Sequence, residues 1–220
     1  MLNRIKRFIL KKDEDLENLA WIISVVDSYR VGMGVDMEGM RGRIRKLPPS
    51  LKVEKWDQVY NDMKVITDLP FHKEPRMKLY MNIFAFMRYL VKQAFLIVGV
   101  ILFIFLLTMR MPFIKSSAQL QYIVYAILAV AWVVVSIRAF VRNKMKDFYY
   151  RHQKDYQKNE ERLQKAAQNL IDKMGEALTQ KGEDPRKYKF SMYQRDYKGI
   201  TIVGSPGMLR DFFMVKVKKR

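Results

Sequence analysis

Two apolar stretches without a charged residue, Gln93 to Met109 and Ser116 to Ile137, stand in the middle of this chain. A helix rises about 1.5 Å per residue, so a bilayer core of about 30 Å takes about 20 apolar residues. The second stretch, which includes Ile123 to Val135, has that length, and the first stands at the short limit. The residues before the first stretch are also apolar, from Tyr80 and Met81 through Phe84, Phe86, Tyr89 and Leu90, and only Arg88 and Lys92 interrupt them. Long basic side chains reach a headgroup layer from such positions. The pattern predicts a transmembrane helical hairpin over residues 79–141, with spans at about 93–109 and 116–137. A pair of buried core helices is the alternative, but a core helix usually keeps one polar face.

Outside the hairpin the pattern changes to amphipathic helices. Asp13-Glu14-Asp15 precedes Leu16, Leu19, Ile22, Ile23, Val26 and Tyr29, which recur at helical spacing, and Gly32 and Gly34 end that run. Residues 32–42 are rich in glycine and lead into Arg41-Gly42-Arg43-Ile44-Arg45-Lys46. They read as a flexible connector, with a phosphate cradle as the alternative, although the Gly-Lys-Ser/Thr ending of a phosphate loop is missing. After Pro48-Pro49, a helix is expected from about Lys52 to Ile66, with Trp56, Val59, Tyr60 and Met63 on one face. No proline or glycine occurs from Ser136 to Met174, so the second span should run on as a long stalk helix. Tyr149, Tyr156, Leu163, Leu170 and Ala177 lie seven apart along it. The alternate seam is incomplete, so packing on the N-terminal helices is expected in preference to a coiled coil. Gly182 and Pro185 stop this helix.

The last residues turn to a period of two. Tyr188, Phe190 and Met192 alternate with polar residues, Ile200 to Val203 follow a turn, and Phe212 to Val217 follow another at Gly204 to Gly207. A small three-stranded antiparallel meander is expected, and it is too small to be stable unless it packs on the helices or a partner.

Charge orients the hairpin. The formal net charge is +19. Arg76, Lys78, Arg88 and Lys92 precede the first span, and Arg138, Arg142, Lys144, Lys146, Arg151 and Lys154 follow the second, whereas the connecting loop carries Arg110 and Lys115. Basic short loops stay in the cytoplasm. A cell-membrane protein with both termini cytoplasmic is therefore expected. The first twelve residues place Leu2, Ile5, Phe8 and Ile9 on one basic-flanked face, the pattern of a surface-lying membrane helix or of a packed terminal helix.

Candidate chemistry is sparse. There is no cysteine, which removes disulfides, thiol catalysis and thiolate metal sites. His72 and His152 have no zinc-ligand spacing, Ser205 reads as a turn residue without a base, and Asp36 with Glu38 lacks a third metal ligand. No catalytic residue, metal or cofactor is expected. The spans hold no ionisable group, which argues against an ion pathway. What remains is positive charge. Arg41, Arg43, Arg45 and Lys46, together with Lys216, Lys218, Lys219 and Arg220, are the candidate anion-binding residues.

These readings combine into a mainly α-helical two-span membrane protein. Its expected parts are an N-terminal helical segment (1–78), the hairpin (79–141), a stalk helix (142–182) and a basic β-rich tail (183–220). The expected function is a non-enzymatic anchor or adaptor whose basic domain binds anionic lipid, RNA or an acidic protein. The alternative is an accessory subunit of a membrane enzyme or of a transport or biogenesis complex, with a protein partner or a second copy of the chain.

Overall fold

The computed structural model describes residues 12–220 except 35, 85, 88, 91–92, 94–102, 104–116 and 208–210. The chain divides into two compact units, Met1–Leu69 with His152–Arg220, and Pro70–Arg151.

Among its described residues, the first unit opens on helix α1, Glu14–Arg30. Its start is fixed by Asp13, whose carboxylate accepts the N–H of Leu16 at 3.1 Å. Its end is fixed by Gly32 at φ 67°, where the N–H groups of Gly32 and Met33 close on the carbonyls of Tyr29 and Ser28. Only glycine takes this left-handed backbone without steric cost. Helix α2, Met37–Lys46, follows at once, with Asp36 accepting from the Gly39 N–H at 2.9 Å. Residues 37–42 are therefore helical, and neither a flexible connector nor a glycine-rich phosphate cradle forms there. Helix α3, Trp56–Lys73, is longer than expected and carries Pro70 within it. Helix α5, Gln153–Gln180, packs along α1.

The interface of α1 and α5 is the apolar centre of this unit. Leu16, Leu19, Ile22, Ile23 and Val26 meet the same core as Leu163, Ala167, Leu170, Ile171 and Met174, all of them essentially inaccessible. Each buried Leu or Ile contributes about 1.5–3 kcal/mol of transfer free energy. The heptad-spaced residues of α5 are thus used against α1. Gly182, at φ 65°, closes α5 with the same hydrogen-bonded motif that closes α1.

The tail forms three strands, β1 (Phe190–Met192), β2 (Ile200–Gly204) and β3 (Phe213–Val217). The sheet is antiparallel in the order β1-β3-β2, with Phe190 opposite Val215 and Ile200 opposite Val217. It is not the expected meander, because β1 and β2 do not pair. The physical reason lies in the connection between them. Its backbone and side chains are pinned to α1 and α5 by Asp27, Arg30 and Gln168. The chain is thereby led away before it returns as β2, and β3 fills the middle. Gly175 allows the C-terminus to lie close to α5, since a Cβ there would stand 3.0 Å from the Lys218 carbonyl.

The second unit contains helix α4, Ser117–Arg151. Met77, Val141, Met145, Phe148 and Tyr149 are buried, the Phe148 and Tyr149 rings meet edge to face at 5.4 Å, and Arg151 pairs with Glu74 at 3.0 Å. Tyr122, Tyr125, Val130 and Trp132 are largely exposed.

Among the described residues, no helix is long and apolar enough to cross a membrane. This overturns the expected two-span transmembrane hairpin, together with the cell-membrane placement and the orientation inferred from it. The first stretch, 93–109, lies almost wholly outside the described residues. The second does not form a helix of its own. It opens a 35-residue helix whose C-terminal part carries Arg138, Arg142, Lys144, Lys146 and Arg151 and buries Val141, Met145 and Phe148. The amphipathic N-terminal reading of residues 1–11 also lies outside the described residues.

Candidate anion-binding surface

The cations of the first unit fall into two groups. One group is spent on the fold. Asp27 lies wholly buried on α1. It accepts the backbone N–H of Tyr193, that of Gln194 at 3.4 Å and the hydroxyl of Tyr197 at 2.9 Å. Burial pushes its pKa up to about 6, against the pull of those donors and of Arg30. Arg30, one turn later and 3% exposed, donates to Glu160 of α5 at 2.8 Å through Nε and to Asp196 at 2.8 Å through Nη1. Its guanidinium also lies 5.0 Å from the centroid of the Tyr197 ring. Burial opposes its charge, yet the bonds to Asp196, Tyr197 and Glu160 raise its pKa. The same bond to Arg30 holds Asp196 below the usual carboxylate range. Burial, followed by the charge of Asp27, pushes the Tyr197 phenol up. The arrangement ties α1, α5 and the β1–β2 connection together. A second tie joins Asp13 to Lys181 at 2.8 Å and to the Tyr188 hydroxyl at 2.9 Å.

The other group faces solvent. Arg41, Arg45 and Lys46 on α2, and Lys218 and Lys219 in the tail, are exposed, while Lys216 on β3 is half-buried. None of the six has a carboxylate partner within salt-bridge distance among the described residues. Arg41 lies over the Tyr60 ring at 4.9 Å, which holds its guanidinium without neutralising it. Arg43 differs from its neighbours. It donates to Asn18 at 2.9 Å and covers the Trp21 ring at 4.5 Å. Arg220 is also engaged, with Asp172 at 2.8 Å. Of the eight candidates, Arg43 and Arg220 therefore hold the fold, and the other six carry available charge.

The α2 group and the tail group are held by different supports, Asn18, Trp21 and Tyr60 in one case and Asp172 and Gly175 in the other. Asp36 is a helix cap, and no group of three or more His, Cys, Asp or Glu residues is placed to hold a metal among the described residues. The chain pattern had one overlooked signal. Asp27 and Arg30 follow Ile23 and Val26 on the buried stripe of α1, and charges in such positions ask for partners. Protein-family models, curated proteins and solved structures contain no match to this chain.

Proposed function

We propose that this protein is a non-catalytic binding module, an adaptor that engages an anionic partner through the unpaired cations of α2 and the C-terminal tail. The observation that supports this reading is the division of the cations. Among the described residues, the fold neutralises Arg30, Arg162, Lys181 and Arg220 with carboxylates, yet leaves Arg41, Arg45, Lys46, Lys216, Lys218 and Lys219 without any within salt-bridge distance. Unpaired surface cations are the electrostatic footprint of a polyanion partner. The test is binding of the full-length protein to a fluorescent single-stranded RNA, to polyglutamate and to anionic vesicles. Replacing Arg45, Lys46, Lys218 and Lys219 with Gln is expected to weaken binding to at least one of the three by tenfold or more at low salt. Unchanged binding to all three contradicts the reading.

A second reading, an accessory subunit of a larger assembly, is favoured by the exposed Tyr122, Tyr125, Val130 and Trp132 of α4. Large exposed apolar side chains, where they form a contiguous patch, mark an interaction face. Co-purification of a stoichiometric protein partner tests it.

A further inference from the structure

A cleft of about 420 Å³ opens between the start of α3 and one face of α5. On the α5 side its wall is Arg162, Lys165, Asn169 and Lys173, whose spacing of three, seven and eleven residues puts them on one helix face. Across the cleft stand Lys55, Gln58 and Glu54, and the apolar lining is Val53, Val59 and Ala166. The volume suits a small ligand rather than a polymer.

Two features make this more than a charged dent. The first is the way Arg162 is held. Asp62, 2% exposed, takes Nε of Arg162 at 2.8 Å and also its Nη2, while Asn159 donates to the same carboxylate at 2.8 Å. The guanidinium is gripped along one side, so Nη1 stays available in a fixed orientation. With Nε and Nη2 taken by Asp62, Nη1 is the donor that Arg162 keeps at the cleft wall. The second is Lys55, the one described non-glycine residue with a positive φ, at 62°. Its carbonyl accepts the N–H of Gln58 at 3.0 Å, so this left-handed residue starts α3 at the edge of the cleft. An L side chain rarely adopts that backbone, and such residues gather at ligand sites. Neither Lys55 nor Lys165 has a carboxylate within salt-bridge distance among the described residues. Lys173 is partly engaged, because its ammonium donates to the Lys52 carbonyl.

We infer that this cleft binds a small phosphorylated molecule, with the phosphate on Lys55 and Lys165 beside the Asp62-paired Arg162 and the organic part against Val53, Val59 and Ala166. Its cations are not those of the proposed polyanion surface, so the two readings fail separately.

The experiment is calorimetric titration of the full-length protein with inorganic phosphate, phenyl phosphate and phenol. Phenyl phosphate is expected to bind at a single saturable site, at least tenfold tighter than phosphate, and phenol not at all. The double variant Lys55→Gln, Lys165→Gln is expected to lose at least tenfold in affinity for phenyl phosphate. Lys55→Gly is expected to lose affinity while unfolding at an equal or higher temperature, because glycine relieves the backbone and removes the cation. Replacing Arg45, Lys46, Lys218 and Lys219 is expected to leave phenyl phosphate binding unchanged. Many weak equivalent sites, no saturable binding, or full affinity in the Lys55 variants overturns the inference.

Discussion

Arg30 and Lys218 belong to the same compact unit and meet opposite surroundings. Arg30 is buried under Tyr197 with carboxylates from α5 and from the β1–β2 connection, whereas Lys218 stands in solvent at the end of the sheet. A buried charge survives only with partners, and a surface cation needs none for the sake of stability. The contrast separates what folds the unit from what is free to bind. It also yields different consequences for the same chemical change, removal of one positive charge.

The largest expected effect is at the buried end. Arg30→Met leaves Glu160 without its partner and removes the tie to Asp196 and Tyr197. Breaking a buried pair costs about 3–5 kcal/mol, so urea unfolding of this variant is expected to show a loss of at least about 3 kcal/mol. A loss under 1 kcal/mol breaks the comparison, since Arg30 would then behave as a surface cation.

The next effect is pH dependence from Asp27. Its carboxyl titrates at 3.8 when unfolded and at about 6 when folded, because burial disfavours the charge. Between those values the folded protein holds the proton more tightly than the unfolded chain. Acidification from pH 7 towards pH 4 therefore adds stability from this group, up to about 3 kcal/mol, and the gain is lost as pH rises through 6. Asp196 acts in the opposite sense, since its lowered pKa gives stability at neutral pH that disappears only at more acid values. Urea midpoints of the parent and of Asp27→Asn between pH 4 and 7 measure this, and the variant is expected to lose the slope. Equal slopes would show that Asp27 is not the titrating group.

Smaller still is the cap of α1. Asp13→Ala removes the acceptor of the Leu16 N–H and the partner of Lys181, and about 1 kcal/mol is expected from thermal unfolding. The smallest stability effect lies at the exposed end. Lys218→Gln and Lys219→Gln are each expected to change stability by no more than about 0.5 kcal/mol.

The two helix ends at Gly32 and Gly182, the apolar stripe of α1, the use of Leu163 and Leu170 against it, and three strands in the tail were legible because each rests on local spacing or on a residue with special backbone freedom. The strand order was not legible, since it depends on where Asp27 and Arg30 anchor residues 193–197, over 160 residues away in sequence. Residues 37–42 misled for a related reason. Glycine permits a loop but does not require one, and Asp36 capped a helix instead. The membrane hairpin was read from a run of apolar residues, whereas α4 carries its apolar start into a basic half with a buried face of its own. Among the candidate cations, sequence identified charge but not partners. Nothing in the letters around Arg43 or Arg220 distinguishes them from Arg45 or Lys218. Lys55 gave no sign either, because lysine does not favour the left-handed backbone that it adopts.

The claim that unpaired cations do the binding is tested most directly by the salt dependence of polyanion affinity. Each neutralised phosphate releases counterions, so the logarithm of the association constant falls linearly with the logarithm of salt concentration. The parent and the variant with Arg45, Lys46, Lys218 and Lys219 replaced by Gln would be titrated with single-stranded RNA from about 50 to 200 mM salt. A shallower slope with unchanged unfolding temperature is the predicted result, and a variant with the parent's slope and affinity at every salt concentration would contradict it.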